Sequence, residues 1–159
     1  MSEDFETILN WAYFYLKFRP RTEKEIVDYL NKKITKKNLP KKNIEKVIRV
    51  LKEQGLVDDR RFIEWLVDQR SRFRPRGVFG LKTELIRYGV DEKEINDFFN
   101  KNQIDEKALI DQYLERYLVK KGDTIKTEKG RERMVKHLLR RGFSYQSVKS
   151  ALAKRFKKD

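Results

Sequence analysis

Apolar residues recur along this chain at steps of three and four. Ile44, Val47, Ile48 and Leu51 fall at i, i+3, i+4 and i+7, and Ile110, Tyr113, Leu114 and Tyr117 repeat the pattern, as one face of a helix requires. The same spacing extends nearly end to end and predicts helices over 5–17, 22–33, 40–54, 59–72, 77–88, 92–101, 106–121, 128–141 and 145–157. No stretch alternates convincingly between apolar and polar residues as a half-buried strand would, so the expected fold class is all-α.

Local signals punctuate these helices. Thr22 with Glu25, and Asp91 with Glu94, have the spacing of a capping side chain and its reciprocal partner. Gly55, Gly89 and Gly142 follow helical stretches and read as stops in the left-handed conformation. Pro40 suits the first turn of the helix that carries Ile44.

The helices form a repeating series. An offset of 55 carries Phe18-Arg19-Pro20-Arg21 onto Phe73-Arg74-Pro75-Arg76 and Leu30 onto Leu85. An offset of 53 carries Leu81 to Met134, Leu85 to Leu138, Gly89 to Gly142, Ile95 to Val148 and Phe99 to Leu152. Three units of three helices follow, bounded as 1–57, 58–103 and 104–159, with about four extra residues in the "KITKKNLPKKN" connection of the first. Units that pack only on their neighbours give an elongated, curved array of helix-turn-helix-like modules. In this frame FRPR is the turn between the first and second helix of a unit, because proline disfavours helix at the residue before it. The corresponding stretch of the third unit, "KKGDTIKTEKGR", has no proline and is expected to be longer and looser.

Charge narrows the choice of partner. Lys and Arg number 39 against 25 Asp and Glu, a net +14 at pH 7, which draws a polyanion to the surface. The three units carry 13 basic against 8 acidic residues, 10 against 9, and 16 against 8. No apolar run approaches the length of a membrane span, and no signal peptide or lipidation motif is visible. A soluble, cytoplasmic protein is expected. With no cysteine and His137 as the only histidine, neither a disulfide, a thiolate metal site nor a His cluster can form. Phosphate-binding glycine phrases are lacking as well, so no cofactor is expected.

The candidate binding residues are therefore cations. Arg70, Arg72, Arg74 and Arg76 form the densest run, "RSRFRPR", and guanidinium forks suit phosphates. Phe73 between them can pack inward or stack on a base, and its helical spacing favours the core. Lys129, Arg131, Arg133, Lys136, Arg140 and Arg141 make a second cluster at helical spacings, and Arg19, Arg21, Arg60, Arg61 and Arg87 complete the set. Asp58-Asp59 resembles a metal-binding carboxylate pair only superficially, since adjacent positions at a helix start diverge; capping by Asp58 is the better account. His137 is expected on the surface. No nucleophile, base and orienting group recur together, so no enzyme is expected.

Three ordered phrases then resemble one family. "QGLVDDRRFIEWLV" (Gln54 to Val67) resembles the Gly-Leu-Leu-Asp-Asp-x-Arg-Phe-Ala signature of the RecX regulators of the RecA recombinase. "FRPRTEKEI" resembles that family's Arg-Pro-x-Ser-x-x-Glu-Leu phrase, and "LKTELIRYGVDEKEI" its Ile-x-x-Glu-Leu-x-x-Lys-Gly-Ile pattern. Departures include Tyr88 where Lys is frequent and Ile63 where Ala is usual, and the third unit is matched mainly by helix pattern and "LLRRGF". The resemblance implies a bacterial, non-enzymatic modulator, commonly an inhibitor, that binds the RecA filament on single-stranded DNA. Such a protein lowers ATP hydrolysis, strand exchange and the co-protease activity that triggers the SOS response in DNA repair and homologous recombination. A monomer is expected, with weaker contact to duplex DNA. The alternatives are a nonspecific single-stranded DNA-binding protein and a helix-turn-helix DNA-binding regulator; the acidic, apolar "EKEINDFFNKN" is unlike a base-reading helix.

Overall fold

The computed structural model describes residues 2–121 and 125–155. Among them lie nine helices and no strand: α1 (Glu3–Leu16), α2 (Glu23–Lys37), α3 (Asn43–Glu53), α4 (Asp59–Arg72), α5 (Val78–Arg87), α6 (Glu92–Lys101), α7 (Glu106–Lys121), α8 (Glu128–Arg140) and α9 (Tyr145–Arg155). The all-α expectation holds, with α4, α6 and α7 at their predicted bounds.

The differences have local causes. α2 continues through Lys37 because Ile34 is buried on the same face as Ile26 and Leu30, and Asn38 ends it at φ 57°. α3 begins at Asn43 rather than Pro40; Lys41 and Lys42 form a turn in which the Ile44 amide donates to the Lys41 carbonyl at 3.1 Å. The predicted end of the last helix, residues 156 and 157, lies outside the described residues, as do residues 122–124 of the turn expected to be loose.

Capping follows the sequence closely at α2. Thr22 accepts from the Glu25 amide, and the Glu25 carboxylate accepts from the Thr22 amide, closing the reciprocal box. Asp91 accepts from the Lys93 amide at 3.4 Å, whereas Glu94 turns to Arg60. Gly55, Gly89 and Gly142 have φ of 71°, 87° and 87°, the left-handed conformation expected of helix stops.

Two compact units divide the chain. The first comprises Met1–Leu66 with Leu85–Ile95, the second Val67–Glu84 with Asn96–Asp159, so α4, α5 and α6 each contribute to both. In the first, Phe5, Ile8 and Ala12 of α1 meet Ile26, Leu30 and Ile34 of α2 and Val47, Ile48 and Leu51 of α3. In the second, Ile110 and Leu114 of α7 pack with Met134 and Leu138 of α8, and Val148 and Leu152 of α9. Ile125 joins this second core, giving the stretch before α8 an apolar anchor.

One joint recurs inside each unit. In the first, the start of α2 meets the α5–α6 turn: Thr22 Oγ1 donates to the Tyr88 carbonyl at 2.7 Å, and a Cβ added at Gly89 would lie 2.3 Å from Lys24 Cδ. Asp59, from the first turn of α4, accepts from the Glu23 amide at 3.1 Å. In the second, the start of α5 meets the α8–α9 turn: the Gly77 amide donates to the Arg141 carbonyl at 3.0 Å, and a Cβ on Gly142 would sit 2.1 Å from Gly80 N. Here Glu106, from the first turn of α7, accepts from the Val78 amide at 2.8 Å and the Ser144 amide at 3.1 Å. In both joints a carboxylate from a later helix satisfies an orphan N–H at the start of an earlier one.

Candidate nucleic-acid interface

Both FRPR turns invert the division of labour that their spelling implies. At the first, the Arg19 fork closes on Glu25, with Nη1 to Oε1 at 3.2 Å and Nη2 to Oε2 at 2.6 Å, the bidentate geometry that guanidinium favours. Its cation also lies 5.8 Å from the Trp65 ring centre and 5.5 Å from that of Tyr88. Arg21 lies 3.9 Å over Tyr15 and 3.7 Å from Glu25 Oε2. The first phrase thus spends its guanidiniums inside its own unit.

At the second turn, Arg70 donates through Nε and Nη2 to Glu84, and Arg76 Nε lies 3.3 Å from the other oxygen of that carboxylate. Glu84 is buried, at 7% exposure, and only this two-sided pairing makes a carboxylate tolerable there. Arg141 completes the clasp from α8: its Nε donates to the Pro75 carbonyl and its Nη2 to the Arg74 carbonyl, each at 2.8 Å. Burial, and then the positive charge of Arg76, push the Arg141 pKa below its usual range.

A single layer position explains these contacts. The offsets that superpose Leu30, Leu85 and Leu138 also superpose Tyr29, Glu84 and His137. The latter three face α1, α4 and α7 respectively. Tyr29 stacks on Tyr15 at 4.0 Å, Glu84 binds Arg70, and His137 hydrogen-bonds Tyr113 Oη at 2.8 Å. One geometric slot is filled by an aromatic stack, an ion pair and an imidazole–phenol pair in turn. His137 is accordingly half-buried rather than on the surface, and desolvation, reinforced by Arg141 and Arg140, lowers its pKa.

The phenylalanines of the two phrases are displayed. Phe18 is 65% exposed and Phe73 70%, so Phe73 is not the core residue that its spacing implies. Phe73 stands seven positions beyond the buried Leu66, but α4 ends at Arg72 and the turn toward Pro75 carries the ring off the buried face. Phe18 lies past the end of α1 in the same way and meets the exposed Phe14 edge-on, with ring centres 5.2 Å apart.

The remaining candidates separate by partner. Arg60 holds Glu94, Arg61 lies 3.7 Å from Asp58, and Arg72 bonds Asp68 at 3.2 Å; all three are largely exposed. Arg131 donates to the Lys126 carbonyl at 3.2 Å. Arg74, Arg87, Lys129, Arg133, Lys136 and Arg140 are exposed, and their side chains make no hydrogen bond or ion pair among the described residues. Four of these six, Lys129, Arg133, Lys136 and Arg140, are spaced i, i+4, i+7 and i+11 on α8 and form one stripe. The tandem carboxylates serve as caps: Asp58 accepts from the Arg60 amide, and Asp59 from Glu23. Among the described residues no group of three His, Asp or Glu could hold a metal ion, and no helix is long and apolar enough to cross a membrane.

Nine helices among the described residues, guanidinium-clasped turns and a basic stripe on α8 define an all-helical protein. No family model matches the chain. It is 28% identical over 143 residues to the regulatory protein RecX of Streptococcus mutans, covering 90% of this chain and 53% of that protein. It is 30% identical over 143 residues to RecX of Bacillus pumilus, covering 52% of that protein, and 29% identical over 140 residues to RecX of Chlorobium phaeobacteroides, covering 87% of each. The chain therefore spans about half the length of the streptococcal and Bacillus relatives. Its fold matches the crystal structure of RecX from Lactobacillus salivarius with a TM-score of 0.75, at 21% identity and 97% coverage of both chains. A further RecX crystal structure matches with a TM-score of 0.70 over 92% of this chain and 70% of that one. The chain is thus similar in sequence to regulatory proteins named RecX and shares the helical fold of the RecX crystal structures.

Proposed function

We propose that this protein binds the RecA filament on single-stranded DNA and restrains its activities, namely ATP hydrolysis, strand exchange and SOS co-protease function. The similarity to RecX regulators over nine-tenths of the chain carries this reading. The physical support is the α8 stripe of Lys129, Arg133, Lys136 and Arg140, four cations without an internal partner on a helix free to face phosphates. The three repeats, divided at 57 and 103, act here as successive modules of a cytoplasmic monomer that meets a periodic partner at more than one point.

The test titrates the protein into RecA filaments on single-stranded DNA at physiological salt and follows ATP hydrolysis, with binding to the bare strand measured in parallel. Inhibition well below one molecule per RecA, at concentrations too low to cover the strand, supports the proposal. Replacing Lys129, Arg133, Lys136 and Arg140 together with Ala is expected to reduce inhibitory potency at least about tenfold. Inhibition that sets in only when the strand is saturated would leave a nonspecific single-stranded DNA binder, and none at all would remove RecA from the account.

A further inference from the structure

Each FRPR turn displays its phenylalanine, the second together with Arg74, and at the second turn the ring opens onto a groove. Phe73, Pro75, Tyr113, Tyr117 and Val119 form its walls, Arg116 and Lys120 its rim, and the space between them is about 450 Å³. That volume lies within the range of small-molecule and single-base sites. Arg116 is held in position by donating to the Arg72 carbonyl at 2.8 Å, while Lys120 and Arg74 are exposed. No carboxylate lines the groove.

We infer that this groove is a base-stacking subsite for single-stranded nucleic acid, in which Phe73 stacks on one base while Lys120, Arg116 and Arg74 meet the flanking phosphates. Three observations lead there together. A large aromatic side chain is 70% exposed at the edge of a groove that also holds Tyr113 and Tyr117, which leaves its face accessible to a flat partner. The backbone of the turn presenting the ring is anchored, since Arg141 donates to the carbonyls of Arg74 and Pro75 and Arg76 pairs with Glu84, an arrangement that favours preorganised binding. Aromatic walls within a cationic, carboxylate-free rim complement a flat π-surface carrying negative charge on both sides, the combination used by proteins that track single strands without reading sequence. Phe18 and Phe14 give the first turn a displayed aromatic pair.

The inference deepens the filament reading by assigning its nucleic-acid contact, and it is tested without RecA. Fluorescence anisotropy compares a labelled oligothymidylate of about fifteen nucleotides with an abasic strand of equal phosphate number. Phe73→Ala is expected to weaken binding to oligothymidylate by about fivefold to a hundredfold and to leave the abasic strand within about twofold. Phe73→Trp should retain affinity, with its added fluorescence quenched by oligothymidylate only. Equal weakening of both strands, unchanged binding of both, or no measurable binding by the wild type would overturn the inference. So would a change of oligomeric state in Phe73→Ala by sedimentation, which would make the groove a contact between copies. Loss of RecA inhibition in Phe73→Ala with strand binding intact would reassign the ring to a protein partner. The two readings fail separately: a wild type that inhibits RecA yet binds both strands alike loses the stacking subsite and keeps the filament role.

Discussion

Glu84→Gln probes the ion cluster with the smallest change of shape. The carboxylate accepts from Arg70 Nε and Nη2 and lies 3.3 Å from Arg76 Nε. Removing one member of a buried pair costs about 3–5 kcal/mol where the surviving charge stays trapped. Here the survivors have an outlet, because the side chains of Arg70 and Arg76 are 27% and 33% exposed, and water recovers part of what the carboxylate supplied. The amide oxygen also still accepts one hydrogen bond. A loss of about 2 kcal/mol follows from these discounts, equivalent to a fall of about 4–8 °C in melting temperature for a chain of this size. Urea titration followed by far-ultraviolet circular dichroism measures it. Replacing Glu84 by Gln together with Arg70 by Leu should recover stability relative to Gln alone, because one uncompensated charge leaves with it. A single variant within about 0.5 kcal/mol of wild type would refute the account of Glu84 as the centre of the cluster.

Other expectations follow from the joints and the titrating groups. Gly142→Ala should cost at least about 3 kcal/mol, because φ is 87° and the new Cβ would meet the Gly80 backbone at 2.1 Å; thermal melting reads it. Asp59 has its pKa raised above its usual 3.8, chiefly by burial, so its ionisation opposes folding and stability at this site is lost as pH rises through the raised value. Asp59→Asn, which keeps an acceptor for the Glu23 amide, should flatten that loss between acid and neutral pH, whereas Asp59→Ala should cost about 1 kcal/mol throughout; denaturant titrations over a pH series distinguish them. His137 has its pKa lowered from 6.5, first by burial, so its contribution is present above that value and disappears as pH falls through the depressed one. His137→Gln should remove this segment of the pH–stability curve, as the same titrations at pH 7 and pH 5 would reveal.

Much of this architecture is legible in the sequence, and the reasons divide at particular residues. Thr22 and Glu25 carry a capping box in their spacing, and Gly55, Gly89 and Gly142 announce their positive φ by following apolar helical runs; both signals are local. The extension of α2 was hidden because KKITKK reads as a charged connection until Ile34 is seen buried. Phe73 misleads because periodicity extrapolates beyond a helix end that proline imposes two residues later. The partners of the arginines were hidden for a different reason: Glu84, Arg70 and Arg76 converge only in three dimensions, and spelling alone does not distinguish a committed guanidinium from a free one. Asp59 and Glu106 look like ordinary first-turn acids, yet they reach helix starts 36 and 28 positions earlier. One signal was available in principle: the sequence offsets that align Leu30, Leu85 and Leu138 also align Tyr29, Glu84 and His137, marking a slot that changes chemistry.

The internal commitment of so many guanidiniums bears on how binding responds to electrolyte. A cation that neutralises a phosphate displaces condensed counterions, and on a single strand each such contact steepens the logarithmic dependence of affinity on salt by about 0.7. If all fifteen candidate cations met phosphates, the slope would approach about −10. The six that lack a hydrogen bond or ion pair, Arg74, Arg87, Lys129, Arg133, Lys136 and Arg140, bring it nearer −4. A salt response shallower than the count of candidate cations suggests is thus compatible with a formal net charge of +14.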